Sequence, residues 1–188
     1  LIVFFDANLT KNYFYLSKII LNFVQNKNNM NTKNAIGLQK SDVTDTVTLL
    51  NHLLANYQLH YQNLRALHWN IRGQNFFELH AKFEEFYNDS QIKIDEIAER
   101  ILTLGGTPLH TFSDYRDAAV IPEAKNIHDD MTAVKTVKTG LQTLLQLERK
   151  LIQVAGEAGD EGTVDLLTPF VSEQEKTIWM LNAWLNGK

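Results

Sequence analysis

The sequence predicts an all-α protein: four long helices arranged as two hairpins, joined by one long crossover that carries a short extra helix. Three observations predict it. Proline and glycine are scarce, three and nine in 188 residues, and long stretches contain neither, which favours helices over a sheet with frequent turns. Apolar residues recur at alternating spacings of four and three in two long runs. Pro108 and Pro122 then bracket a connection too long for a tight helical hairpin.

Residues 1–29 stand apart from this plan. They are crowded with Phe, Leu, Ile, Tyr, Asn and Lys, begin with Leu, and give way at Met30 to a different composition. They are expected to be translated upstream sequence, with Met30 as the natural start. A targeting segment fits poorly, because Lys11-Asn12 and Lys18 interrupt the apolar runs and no small-residue cleavage site follows. Residues 30–40 are expected as a flexible tail and 41–186 as the folded domain.

Ser41 is the expected N-cap of the first helix, with Asp42 and Asp45 suited to its first turn. Val43, Val47, Leu50, Leu54, Tyr57, Tyr61, Leu64 and His68 then form one continuous stripe. Gly73 marks a turn. Phe76, His80, Phe83, Tyr87, Ser90, Ile94, Ile97, Ile101 and Leu104 form the second stripe, ended by Gly105-Gly106 and Pro108. Residues 107–125 read as the crossover. A third helix is expected from about Asn126 to Ala155 and a fourth from about Asp160 to Leu185, with Pro169 kinking the last or restricting its start. Two helical hairpins and one long crossover make a ferritin-like four-helix bundle.

Composition narrows the function. There is no cysteine, so disulfides and thiolate metal sites are excluded, and any metal is left to His, Asp and Glu. The net charge of -4 argues against a surface built for phosphate backbones. No apolar run is long enough to span a membrane.

His68 and His80 flank Gly73, and folding the two helices back on each other brings both to the same height on inward stripes. Two imidazoles are too few for a metal site. The second helix also carries Glu84, Asp95 and Glu99, which share one side with His80 within a sector of roughly 100°. Along the axis, however, His80 and Asp95 are roughly 22 Å apart, so one ion cannot bind both in one chain. A second copy placed antiparallel, with a two-fold axis near residues 89–90, sets His80 and Glu84 opposite Asp95 and Glu99 of the other chain, and does so twice. The expectation is two identical mixed His/carboxylate sites per dimer, suited to iron redox chemistry. No Glu-x-x-His occurs in the sequence, which points away from the usual di-iron centre inside one bundle.

Three runs then carry a resemblance: Leu67-His68-Trp69-Asn70-Ile71-Arg72-Gly73, Phe76-Phe77-x-Leu79-His80, and Asp95-Glu96-Ile97-Ala98-Glu99-Arg100-Ile101. With Glu175-Lys176-Thr177-Ile178-Trp179-Met180-Leu181 in the last helix, they resemble the Dps family of mini-ferritins, over about Ser41 to Leu185. The resemblance implies a cytoplasmic shell of twelve subunits, nucleoid-associated where DNA is bound. It implies that ferrous iron is oxidised at dimer interfaces, with hydrogen peroxide or oxygen, and stored as ferric mineral, protecting against oxidative stress. His68, His80, Asp95 and Glu99 match the family's ferroxidase ligands. Glu84 stands where members often have Asp, and Trp69 matches a tryptophan beside the site, where simple core packing is the bland alternative.

Asp160, Glu161 and Asp165 have two readings: favourable charge at a helix start, or an acidic three-fold pore for iron entry, which the resemblance suggests. His128, Asp129 and Asp130 read as a solvated first turn, and His52, His60 and His110 have no evident partners. The competing function is a nucleoid-associated DNA-binding protein with incidental metal binding. The only basic residues between Met30 and Ser41 are Lys33 and Lys40, and the chain ends with a single Lys188, so DNA binding is expected to be weak.

Overall fold

A computed structural model describes residues 32–187. The expectation for residues 1–29 falls outside them. The described residues form five helices: α1 (Thr44–Asn70), α2 (Phe76–Thr103), the short α3 (Phe112–Ala118), α4 (Asp130–Glu157) and α5 (Glu161–Asn186). Helices α1 and α2 form one hairpin and α4 and α5 the other. Helix α1 joins the two by packing on α4, and the crossover helix α3 lies against α1. This is the expected all-α ferritin-like bundle. No described helix is long and apolar enough to cross a membrane.

Several boundaries differ from the sequence reading, each for a local reason. Ser41 does not cap α1; its hydroxyl donates to the Asp42 carboxylate. Residues 33–40, read as tail, form a hydrogen-bonded turn in which Asn34 donates to the Leu104 carbonyl (3.2 Å). The Gln39 carbonyl accepts from the backbone N–H groups of Asp42 and Val43, so the helix start is supplied by backbone rather than by a side chain. Asn126 has φ +59°, which no helix interior accommodates. Helix α4 therefore begins only at Asp130, where Asp129 accepts from the Thr132 N–H (2.8 Å). Pro169 neither starts nor ends α5, which runs through it.

The crossover is fastened by three asparagines of α1. Asn51 accepts from the Leu109 N–H (2.7 Å), Asn56 from those of Val120 and Ile121 (3.0 Å each), and Asn63 from that of Ala124 (2.8 Å). A loop packed on a helix needs partners for its buried amides, and these side chains provide them.

The core is divided in two. One cluster holds Leu50, Leu54, Ile97, Ile101, Leu151 and Leu167; the other holds Leu64, Leu67, Phe83, Val134, Val137 and Leu181. Each such side chain contributes about 1.5–3 kcal/mol on burial. Between the clusters lie buried polar residues: His60, Ser90, Lys93 and Gln174. Beside them, buried Glu148 accepts from the Tyr57 hydroxyl (2.7 Å) and the Gln174 amide (2.6 Å), tying α1, α4 and α5 together.

Candidate metal centre

Helix α1 ends just after His68, and α2 places His80 in its first turns. The reversal between them passes Gly73 at φ +109°, a conformation L side chains rarely adopt. The turn is anchored to the start of α4, where Arg72 N–H donates to the His128 carbonyl (2.9 Å) and Asn75 donates to Asp130.

The two imidazoles lie face to face, ring centres 3.7 Å apart and planes 18° from parallel. Nδ1 of His68 meets the backbone carbonyl of His80 (2.7 Å), and Nδ1 of His80 meets that of His68 (2.8 Å). A carbonyl only accepts, so each Nδ1 carries the hydrogen. In the neutral ring the lone pair is then on Nε2, the atom available to a metal. Phe76 stacks on His80 (5.0 Å, 22°) and Tyr87 meets His68 edge-on (5.4 Å, 84°). His68 is only 8% exposed.

Of the remaining expected ligands, Glu84 is on the exposed face of α2 one turn beyond His80 and accepts from the Tyr87 hydroxyl (3.2 Å). Asp95 and Glu99 are exposed further along the same helix. Among the described residues, no three His, Asp or Glu side chains of one chain gather around a common point for an ion. The fold thus unites the histidines and leaves the carboxylates on a surface. The donor set suits a hard or borderline ion: two fixed imidazole nitrogens with carboxylates one helix face away.

Two readings are corrected. Trp69 is 57% exposed, so core packing does not explain it; the Arg65 guanidinium lies over its ring at 4.8 Å. Asp160 is 1% exposed and cannot line a pore. It caps α5, accepts from the Thr163 N–H (3.1 Å) and hydroxyl (2.6 Å), and pairs with Arg100. Its carboxylate is fully engaged in holding α5 to α2. Glu161 and Asp165 are exposed on the opening turns of α5. Asp129 caps α4, and its carboxyl is held below the usual range mainly by hydrogen bonds from Thr132. His60 is buried, and desolvation, reinforced by the Lys93 charge, lowers its pKa to about 4.

Sequence reasoning missed the aromatic setting of the histidines. Phe76 and Tyr87 were placed on a core stripe, and nothing in the spacing separates a core aromatic from one seated on a ligand ring.

A bundle of two hairpins with a capped crossover and a histidine pair at one end defines a ferritin-like protein, and the ferritin-like domain family matches residues 47–187. The chain is 48% identical to the DNA protection during starvation protein of Porphyromonas gingivalis, over 79% of this chain and 93% of that one. Among solved structures, the Dps protein of Vibrio cholerae O1 superposes with a TM-score of 0.81 at 51% identity. That match covers 82% of this chain and 97% of that one, and the protein is described as a member of a superfamily of ferritin-like diiron-carboxylate proteins. The Dps protein of Bacillus brevis gives a TM-score of 0.75 at 38% identity, covering 77% and 97%. The chain belongs to the Dps family.

Proposed function

We propose that this protein is a ferroxidase that oxidises Fe(II) at sites shared between two antiparallel copies and keeps the ferric product inside a hollow, dodecameric shell. The observation that carries the reading is the reciprocal hydrogen bonding of His68 and His80. Each ring is held in one tautomer and one orientation by the other's backbone, which is how a metal-binding imidazole is usually oriented. The diiron-carboxylate description of the Vibrio cholerae relative supports iron as the substrate.

In this reading His68, His80 and Glu84 of one chain and Asp95 and Glu99 of the other hold the ferrous ions. The carboxylates favour the ferric state by neutralising its charge; the imidazoles keep affinity moderate, so product can leave. Two ferrous ions give up one electron each to one hydrogen peroxide, which takes two protons and becomes two waters. No hydroxyl radical is released, which is the protective outcome under oxidative stress. Exposed Glu161 and Asp165 remain the candidates for an acidic iron-entry path, without Asp160. Trp69, exposed next to His68, is placed to meet an oxidant that escapes.

The test is anaerobic addition of ferrous iron to the metal-free protein, followed by peroxide, with ferric absorbance and particle size recorded together. Fast oxidation with iron retained in a discrete large particle is expected. His68→Ala with His80→Ala should slow oxidation at least tenfold while leaving the particle intact; an unchanged rate would remove the assignment. The DNA-binding alternative is tested separately. Little or no gel shift is expected at about 150 mM salt, where exposed charges farther apart than roughly 8 Å are screened, and a stable complex there would favour the nucleoid role.

A further inference from the structure

Tyr87 stands beside the histidine pair on α2, and its ring and its hydroxyl do different things. The ring is half-buried and packs on the core cluster that holds Phe83 and Val137. It meets two rings of α1 edge-on, His68 (5.4 Å, 84°) and Tyr61 (6.1 Å, 85°). A phenylalanine would make all of these contacts, so packing accounts for the ring alone. The hydroxyl donates to Oε1 of Glu84, one turn back on the same helix (3.2 Å). One side chain thus touches the imidazole that α1 brings to the site and a carboxylate that α2 brings.

We propose that Tyr87 is a positioning residue of the iron site, whose hydroxyl tethers Glu84 by Oε1 in fixed relation to His68 and leaves Oε2 for the ion. The proposal rests on the two-chain ferroxidase reading and deepens it with a residue that is not itself a ligand. Glu84 is exposed on a long, flexible side chain. Ordering that side chain only when iron arrives costs entropy, which is subtracted from affinity. A hydrogen bond made beforehand orients the carboxylate in the way a metal-binding imidazole is oriented.

The charge of the donor matters as much as its position. A lysine or arginine in the same place would hold the carboxylate and also offset the negative charge that attracts ferrous iron. The phenol is neutral and leaves that charge intact. The cations of this region are engaged elsewhere: Lys82 pairs with Glu85 (2.5 Å), and the Arg65 guanidinium lies over the rings of Tyr61 (5.3 Å) and Trp69 (4.8 Å). Tyr61 and His68, two turns apart on α1, both meet the Tyr87 ring. The hydroxyl is therefore aimed by the contact between α1 and α2 and not by α2 alone.

A double-mutant cycle on the whole assembled protein tests the tether. Tyr87→Phe keeps the ring and removes the hydroxyl. Glu84→Asp keeps the charge and draws the carboxylate back by one methylene, away from the hydroxyl. The native protein, both single variants and the double variant are titrated with Zn²⁺ by calorimetry. Their peroxide-driven iron oxidation is recorded against Fe(II) concentration. Tyr87→Phe is expected to weaken Zn²⁺ binding about tenfold. The Fe(II) concentration at half-maximal rate should rise by the same factor, with a smaller loss, under about threefold, at saturating iron. In the Glu84→Asp background the same substitution should change Zn²⁺ affinity by less than about twofold, because the tether is already gone. Unchanged Zn²⁺ affinity in Tyr87→Phe, or an equal loss in both backgrounds, would overturn the tether; the second result would assign Tyr87 to packing. The variant carrying His68→Ala with His80→Ala keeps the two readings apart. Oxidation that depends on the histidines, with Zn²⁺ binding indifferent to Tyr87, sinks the tether alone. A Tyr87 effect on Zn²⁺ confined to the Glu84 background, without histidine-dependent oxidation, leaves the tether standing and sinks the ferroxidase reading.

Discussion

His60 is buried between the two halves of the core, with Lys93 of α2 and Gln174 of α5 around the same cleft and Gly140 of α4 against its ring. Its pKa is lowered to about 4 by burial first and the Lys93 charge second. The unfolded chain, with an ordinary histidine near 6.5, therefore binds a proton that the folded chain refuses. Stability from this residue is fully present above about pH 6.5 and is lost as pH falls towards 4, with a penalty on the order of 3 kcal/mol at the acid end. Denaturant titrations across that window should show the loss in the native protein and a flatter profile in His60→Gln. Gly140 makes a second test of the same contact. A Cβ there would stand 2.4 Å from the His60 Nδ1, so Gly140→Ala should cost about 1–3 kcal/mol, and His60→Ala in the same chain should recover most of it. The sequence showed His60 only as a histidine without partners. Its perturbation comes from helices α2 and α4, whose approach no local pattern encodes.

At the scale of the elements, the helices were legible because their burial is periodic. The stripes from Val43 to His68 and from Phe76 to Leu104 are the faces α1 and α2 turn inward. Their ends were less legible, since Ser41 resembles a cap while Gln39 and Val43 perform the task with backbone. The fastening of the crossover was not legible at all. Asn51, Asn56 and Asn63 look like ordinary polar helix residues until residues 107–124 are laid across them. Asn56 accepts from two backbone amides at once. Asn56→Ala should cost about 2 kcal/mol by leaving Ile121 N–H buried without a partner, and hydrogen exchange should quicken at Val120 and Ile121 before the rest of the chain. The Arg100–Asp160 pair holds α2 to the start of α5. Arg100→Ala should cost about 3 kcal/mol, because it leaves a buried carboxylate unpaired. Thermal unfolding of the assembled protein measures both.

For the whole molecule, the proposed dimer gathers carboxylates from two chains at each iron site. Without metal they repel, so the interface should tighten when a divalent ion binds. A redox-inert ion such as Zn²⁺, present at 100 times its Kd, should stabilise the folded state by about 2.7 kcal/mol and raise Tm. Asp95→Asn with Glu99→Gln should raise the metal-free Tm and abolish that response, as read by scanning calorimetry. The proposed two-chain site is an inference the sequence itself prompts, because helical rise alone separates His80 from Asp95 by roughly 22 Å. A count of subunits was not legible, since it depends on surfaces beyond α2. The reciprocal bonds between His68 and His80 have a consequence for descent. Each histidine is oriented by the other's main chain, across a connection whose length fixes the match. Inserting a residue at the Gly73 turn misaligns both donors together, whereas exchanging one ring leaves its carbonyl in place to orient the other. A lineage that exchanges one histidine should therefore keep the other in its orientation, while a change of length at the turn should cost both at once.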